Sequence, residues 1–211
     1  MSNDEILGSV DLASLLASRI CHDVVGPVGA ITNGLELLES DDSEETRELA
    51  MQLVEKSARQ ASAALQLMRL AYGAGGSAGS MIDLADATKL LTHHFEHERA
   101  DLEIELPIAV APRSAVKVLL NLALFAVRAI PRGGLIRVAA EMDGERMKIR
   151  VDAEGINARI PDTTGLLTGE TDEGPIDPHS IQPYLTRLLL READMKATAA
   201  LDGERFTLTA A

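Results

Sequence analysis

Arg19-Ile-Cys-His-Asp-Val-Val-Gly-Pro-Val-Gly-Ala-Ile31 is the stretch on which the reading of this chain turns. It sets His22 beside an acid, Asp23, with Pro27 and Ile31 following in the same segment. At about 100° of rotation per residue, Leu16, Ile20, Val24, Pro27, Ile31, Leu35 and Leu38 fall in one stripe roughly 100° wide. His22 stands about 200° from Ile20, nearly opposite that stripe. A histidine serving a core belongs on the stripe; this one is predicted to face outward. Ser18, Gly26 and Gly29 share its face. A glycine inside a helix costs about 1 kcal/mol relative to alanine, so something is expected to approach closely there. A docking partner and a neighbouring helix of the same bundle satisfy that expectation equally.

Outward from this stretch, the periodicity predicts a helix from about Asp11 to Glu39, with Asp11 as its N-cap. After the turn Ser40-Asp-Asp-Ser43, a second helix starts at Ser43 and runs to about Tyr72, with Leu49, Leu53, Ala61, Leu65 and Met68 at helical spacing. The pair makes an antiparallel hairpin. One hairpin cannot cover both apolar stripes, and the simplest cover is a second copy forming a four-helix bundle. Gly73-Ala-Gly-Gly-Ser-Ala-Gly-Ser80 reads as a flexible linker, which divides the chain into 1–72, a linker 73–80 and a second domain 81–211.

The second domain reads as a strand Met81–Leu84, a helix Ala85–Glu98, a strand Leu102–Leu106 and an apolar helix Pro112–Ala129. Strands Leu135–Asp143 and Met147–Asp152 follow around Gly144, then an irregular stretch 154–178, a helix Ser180–Ala193, and closing strands Lys196–Leu201 and Arg205–Ala210. The fold class is α+β: a helical hairpin followed by a layer of helices on one face of a mixed sheet.

Composition bounds the chemistry. A chain of 211 residues with 25% charged side chains can build a real core and is neither disordered nor membrane-embedded. A net charge of −13 argues against nucleic acid as a partner. The single cysteine, Cys21, allows no internal disulfide and is expected to serve packing in a reducing, cytoplasmic setting. The opening Ser2-Asn-Asp-Glu lacks the pattern of a signal peptide, and Ala115–Ile130 is too short to span a bilayer. His93, His94 and His97 invite a metal reading because His93 and His97 stand one turn apart, but no third ligand is spaced to complete a site, so a polar helix face is the expectation for all three. Phe125 and Met142 are expected in the core.

His22-Asp23-x-x-x-Pro27-x-x-x-Ile31 resembles the phosphoacceptor box of histidine kinases, and the second domain resembles their ATP-binding domain in element order. The run from Asn121 to Gly134, ending Ile-Pro-Arg-Gly-Gly, resembles the asparagine box of those kinases. Where that box carries its magnesium-binding asparagine, this chain has Phe125, which has no oxygen for a hard cation. The glycines of the nucleotide loop are missing from Asp152-Ala-Glu-Gly-Ile156, and the glycine-rich lid is replaced by His179-Ser-Ile-Gln-Pro-Tyr-Leu185. Without them, backbone amides cannot close around phosphates.

An acceptor hairpin joined to a degenerate ATPase-like domain resembles the ChpT family of alphaproteobacterial histidine phosphotransferases, over essentially the whole chain. The resemblance implies a homodimer that carries a phosphoryl group between the receiver aspartates of a hybrid kinase and of cell-cycle response regulators. It implies phosphorylation of His22 and no nucleotide, with Mg²⁺ supplied by the receiver. Asp23 could orient the His22 ring or accept its proton, and Arg19, one turn earlier, could pair with a phosphoryl oxygen. The bland reading of Arg19 and Asp23 is a surface ion pair. Ser18, Gly26 and Gly29 are the expected partner-facing positions. Two other classes stay open at this stage: a divergent ATP-dependent sensor kinase, and a dimeric scaffold that binds receivers without transferring anything.

Overall fold

The computed structural model describes residues 7–40, 43–73, 80–144, 146–171 and 176–211. Helix α1 (Ser9–Ser40) runs through Pro27 without ending. Asp11 lies in its first turn and is not its cap; an acid there still complements the positive end of the helix. Helix α2 (Glu44–Tyr72) starts as expected, with the Thr46 amide donating to Ser43 Oγ at 3.3 Å. It ends where the Gly73 amide returns to the Arg69 carbonyl at 3.1 Å. Most of the expected linker, 74–79, falls outside the described residues.

Strand β1 (Met81–Asp83) leads into α3 (Leu84–Phe95), which Asp83 caps by accepting from the Ala85 amide at 2.8 Å. Then come β2 (Ala100–Glu105), β3 (Val110–Pro112), α4 (Arg113–Ala126) and a single 3₁₀ turn, Val127–Ala129. Strands β4 (Gly134–Asp143) and β5 (Arg146–Glu154), the short helix α5 (Thr164–Thr168), α6 (Ile181–Glu192), β6 (Ala197–Asp202) and β7 (Arg205–Ala210) complete the chain. The main sheet has the order β2-β4-β5-β7-β6, with β2 and β4 parallel and the other pairs antiparallel, while β1 and β3 form a small antiparallel pair. This is the mixed α+β layer expected. Two elements escaped the pattern reading. Strand β3 is too short to show alternation, and α5, inside the stretch read as irregular, is barely one turn long.

Helix α4 is buried almost all round, as its continuous Val-Leu-Leu-Asn-Leu-Ala-Leu-Phe run requires. It lies in one core with the inner face of β4, β5 and β7, with α3, and with Leu67 and Ala71 near the end of α2. The start of α1 packs elsewhere: Leu12, Leu15 and Leu16 rest on Leu166, Ile181 and Tyr184 of α5 and α6. Both ends of the hairpin stem are thereby seated on the second half of the chain.

Some core assignments need correction. Phe125 is fully buried, but Met142 is 40% exposed, because it sits where β4 leaves the layer for the Gly144 turn. Cys21 is exposed and does no packing within the chain. The predicted α1 stripe is half-buried from Leu16 to Ile31, and Leu35 is exposed. No described helix is long and apolar enough to cross a membrane.

Candidate functional site

His22 projects from the middle of α1 with 64% of its side chain exposed. Its Nδ1 lies 3.3 Å from Asp23 Oδ1, and the other Asp23 oxygen accepts from Arg19 Nε at 2.8 Å. The three predicted chemical residues therefore form one chain of contacts, with Asp23 at its centre. Arg19 and Asp23 are an i,i+4 ion pair about one-fifth exposed, and the same carboxylate also orients the imidazole. Arg19 Nε is engaged by Asp23 and does not face open solvent as a ready phosphate donor.

Ser18, Gly26 and Gly29 are exposed on α1. A Cβ placed on Gly26 or Gly29 would meet nothing within 4 Å, so among the described residues no helix packs against them. The close approach of α1 to α2 is instead at Gly34, where a Cβ would stand 2.7 Å from a Val54 methyl and 3.2 Å from the Ala50 carbonyl.

Behind His22, a cavity of about 260 Å³ opens between α1, α2, α3 and the end of α4. Arg19, Asp23, Tyr72, His94, Arg128 and Gln182 are among its lining residues. Burial pushes the Tyr72 phenol up to about 12, against the opposing pull of Arg19. Burial likewise holds His94 below the usual histidine value, although Glu98 at 3.5 Å works the other way. His94 thus turns inward instead of forming part of a polar face. Among the described residues, no group of three or more His, Cys, Asp or Glu side chains is placed to hold a metal ion.

The asparagine-box segment has been put to other use. Asn121 is fully buried, its amide donating to the Lys117 carbonyl at 2.9 Å and to the Ala71 carbonyl of α2 at 3.1 Å. Gln182 of α6 donates to the Asn121 carbonyl at 2.9 Å. The polar side chain that begins the box now ties α2, α4 and α6 together.

Sequence reasoning missed a group that reaches His22 from the second half of the chain. The His179 and His22 rings stand nearly perpendicular, with centroids 5.6 Å apart. Its carbonyl accepts from Arg128 Nη2 at 2.8 Å, and its amide donates to Asp177 Oδ1 at 2.9 Å. Asp177 also accepts from the Ser180 amide at 2.8 Å, and these backbone donors hold its carboxyl below the usual carboxylate range. The Asp-x-x-Ser spacing before an apolar helix was a readable sign of this turn. Its nearness to His22 was not.

A family model described as the histidine phosphotransferase C-terminal domain matches residues 84–205, and the chain belongs to the histidine phosphotransferase family. Protein phosphotransferase ChpT of Brucella abortus (strain 2308) is 43% identical over 211 residues, spanning 100% of both chains. A solved bacterial phosphotransferase superposes with a TM-score of 0.89 at 41% identity, with 100% of each chain covered.

Proposed function

We propose that this chain is a phosphorelay carrier that takes a phosphoryl group onto His22 from the aspartate of one receiver domain and gives it to the aspartate of another. The observation that carries the reading is the exposed His22 imidazole with Asp23 at its Nδ1. With the proton on Nδ1 and donated to Asp23, the lone pair of Nε2 is left for the phosphorus. Nε2 attacks the aspartyl phosphate, an N–P bond forms, and the P–O bond breaks with its electron pair returning to the donor carboxylate. Asp23 stabilises the cationic ring that results. Onward transfer is the same step reversed. Such transfers need positioning and charge stabilisation more than covalent machinery, and the Mg²⁺ that supplies part of the charge belongs to the receiver.

Several further features support the reading. Gly26 and Gly29 leave open backbone beside His22, where a receiver helix can approach closely. Val25, Val28 and Leu35 are exposed along α1, which suits coverage by a second copy in a dimeric four-helix bundle. The Asn121 amide is spent on two backbone carbonyls and Phe125 is buried, so nothing in this segment is poised to take a metal-bound nucleotide. The carrier works as a phosphotransferase without ATP, in the cytoplasm, away from nucleic acid and membrane.

The test is transfer of radiolabelled phosphate from a phosphorylated receiver domain. Wild-type protein takes up an acid-labile label, and His22→Ala takes up none. Label on the alanine variant would place the acceptor elsewhere. Light scattering checks the dimer: a monomer would remove the bundle.

A further inference from the structure

The lid position of the second half of the chain is not vacant; it carries His179 to the acceptor. The two imidazoles meet at 5.6 Å between centroids with their planes at 78°, the edge-to-face arrangement in which ring quadrupoles attract. Within α1, His22 is held by the 3.3 Å contact of its Nδ1 with Asp23. Nearly two-thirds of its side chain is exposed, and an exposed side chain hops between rotamers. His179, by contrast, is anchored at both ends of its peptide. Asp177 takes its amide, and its carbonyl takes Arg128, whose guanidinium in turn lies 5.6 Å from the centre of the buried Phe125 ring. A series of contacts therefore runs from the core through Phe125, Arg128 and His179 to the His22 ring.

We propose that His179 is a positioning residue for transfer at His22, an inference that rests on the carrier reading above. Its ring limits the motion of the imidazole, so that with Asp23 at Nδ1 the Nε2 atom stays aimed at the incoming phosphorus. This gives the second half of the chain a part in the chemistry that requires no nucleotide. His179 forms no bond to phosphorus and gains or loses no proton in the step. Its contribution is orientation, which in group transfer is worth large factors for displacements of about 1 Å.

The experiment is rapid-quench transfer from a radiolabelled receiver domain to the full chain, over a range of receiver concentrations, with His179→Ala, His179→Phe and His22→Ala beside the wild type. His179 is exposed, so neither substitution threatens folding. The expected result for His179→Ala is a maximal transfer rate lower by about tenfold, with the half-saturating receiver concentration within about twofold of wild type. His179→Phe, which keeps an aromatic edge, recovers most of the rate. Wild-type speed in His179→Ala overturns the proposal. So does a loss confined to half-saturation, or a phenylalanine variant as slow as alanine. In each of those outcomes the wild type labels and His22→Ala stays blank, so the carrier reading stands; label on His22→Ala, or none on wild type, defeats that reading instead.

Discussion

The middle of α1 and the middle of α4 treat their polar residues in opposite ways. Around His22 the candidate acceptor ring itself is exposed, the glycines face open space, and the hydrogen bonds join neighbours in sequence. Around Asn121 everything is buried, and the hydrogen bonds reach residues 50 and 61 positions away. The first arrangement leaves a reactive atom accessible to another protein. The second converts a segment resembling a nucleotide site into a structural joint. Substitutions should therefore separate cleanly: those in α1 change rates, and those in α4 change stability.

The sharpest way to break that contrast is Phe125→Asn, which introduces the asparagine that the resembled box carries at this position. The loss of a fully buried ring, with an amide left unpaired in its place, is expected to cost about 3–5 kcal/mol in urea denaturation. A stable variant that binds ATP would mean α4 is still a nucleotide site. Asp23→Asn addresses the other side. It keeps the shape and removes the charge at Nδ1, so transfer is expected to slow by about a hundredfold while the melting temperature moves little. A large loss of stability there would make the Arg19–Asp23 pair structural.

Tyr72 lies between the two regions, at the end of α2 beside the cavity, and its titration is a third test. Its folded value, about 12, is above the ordinary 10.0, so the native state holds the phenolic proton more tightly. Its contribution is present below pH 10 and is lost as the pH rises through about 12, a change of about 2–3 kcal/mol. Tyr72→Phe should flatten that part of the stability profile; an unchanged slope would show that the phenol is not held neutral. The smallest effect is expected at Gly26. Alanine there should gain about 0.5–1 kcal/mol of helix stability, because nothing among the described residues obstructs its Cβ. It should also raise the receiver concentration needed for half-maximal transfer. If transfer is indifferent to Gly26→Ala, no partner approaches at that point.

How much of this was readable from the sequence follows from the range of each interaction. The outward placement of His22, the start of α2 at Ser43 and its end near Tyr72 depend on residues within a turn or so, and the pattern carried them. Cys21 shows the limit, since position on a helical wheel does not say which flank a neighbouring helix will cover. The β3 and α5 elements are too short to establish a period. Asn121 was singled out for its resemblance, but its bond to the Ala71 carbonyl depends on where α2 comes to rest. The contact of His179 with His22 is the extreme case. It joins residues 157 positions apart, and no local feature of Asp177-Pro-His-Ser180 hints at the neighbour.

The bonds of Asn121 also set a timetable for synthesis. As the chain leaves the ribosome, α1 and α2 emerge first and can pair through Gly34 at once. The end of α2 must wait until residue 121 appears for its carbonyl at Ala71 to be satisfied, and Asn121 in turn waits for Gln182. Contacts of such long range close late. During translation His22 is therefore presented on a half-finished hairpin well before α6 exists, and chains interrupted before α6 should leave the stem of the hairpin the most susceptible to proteolysis.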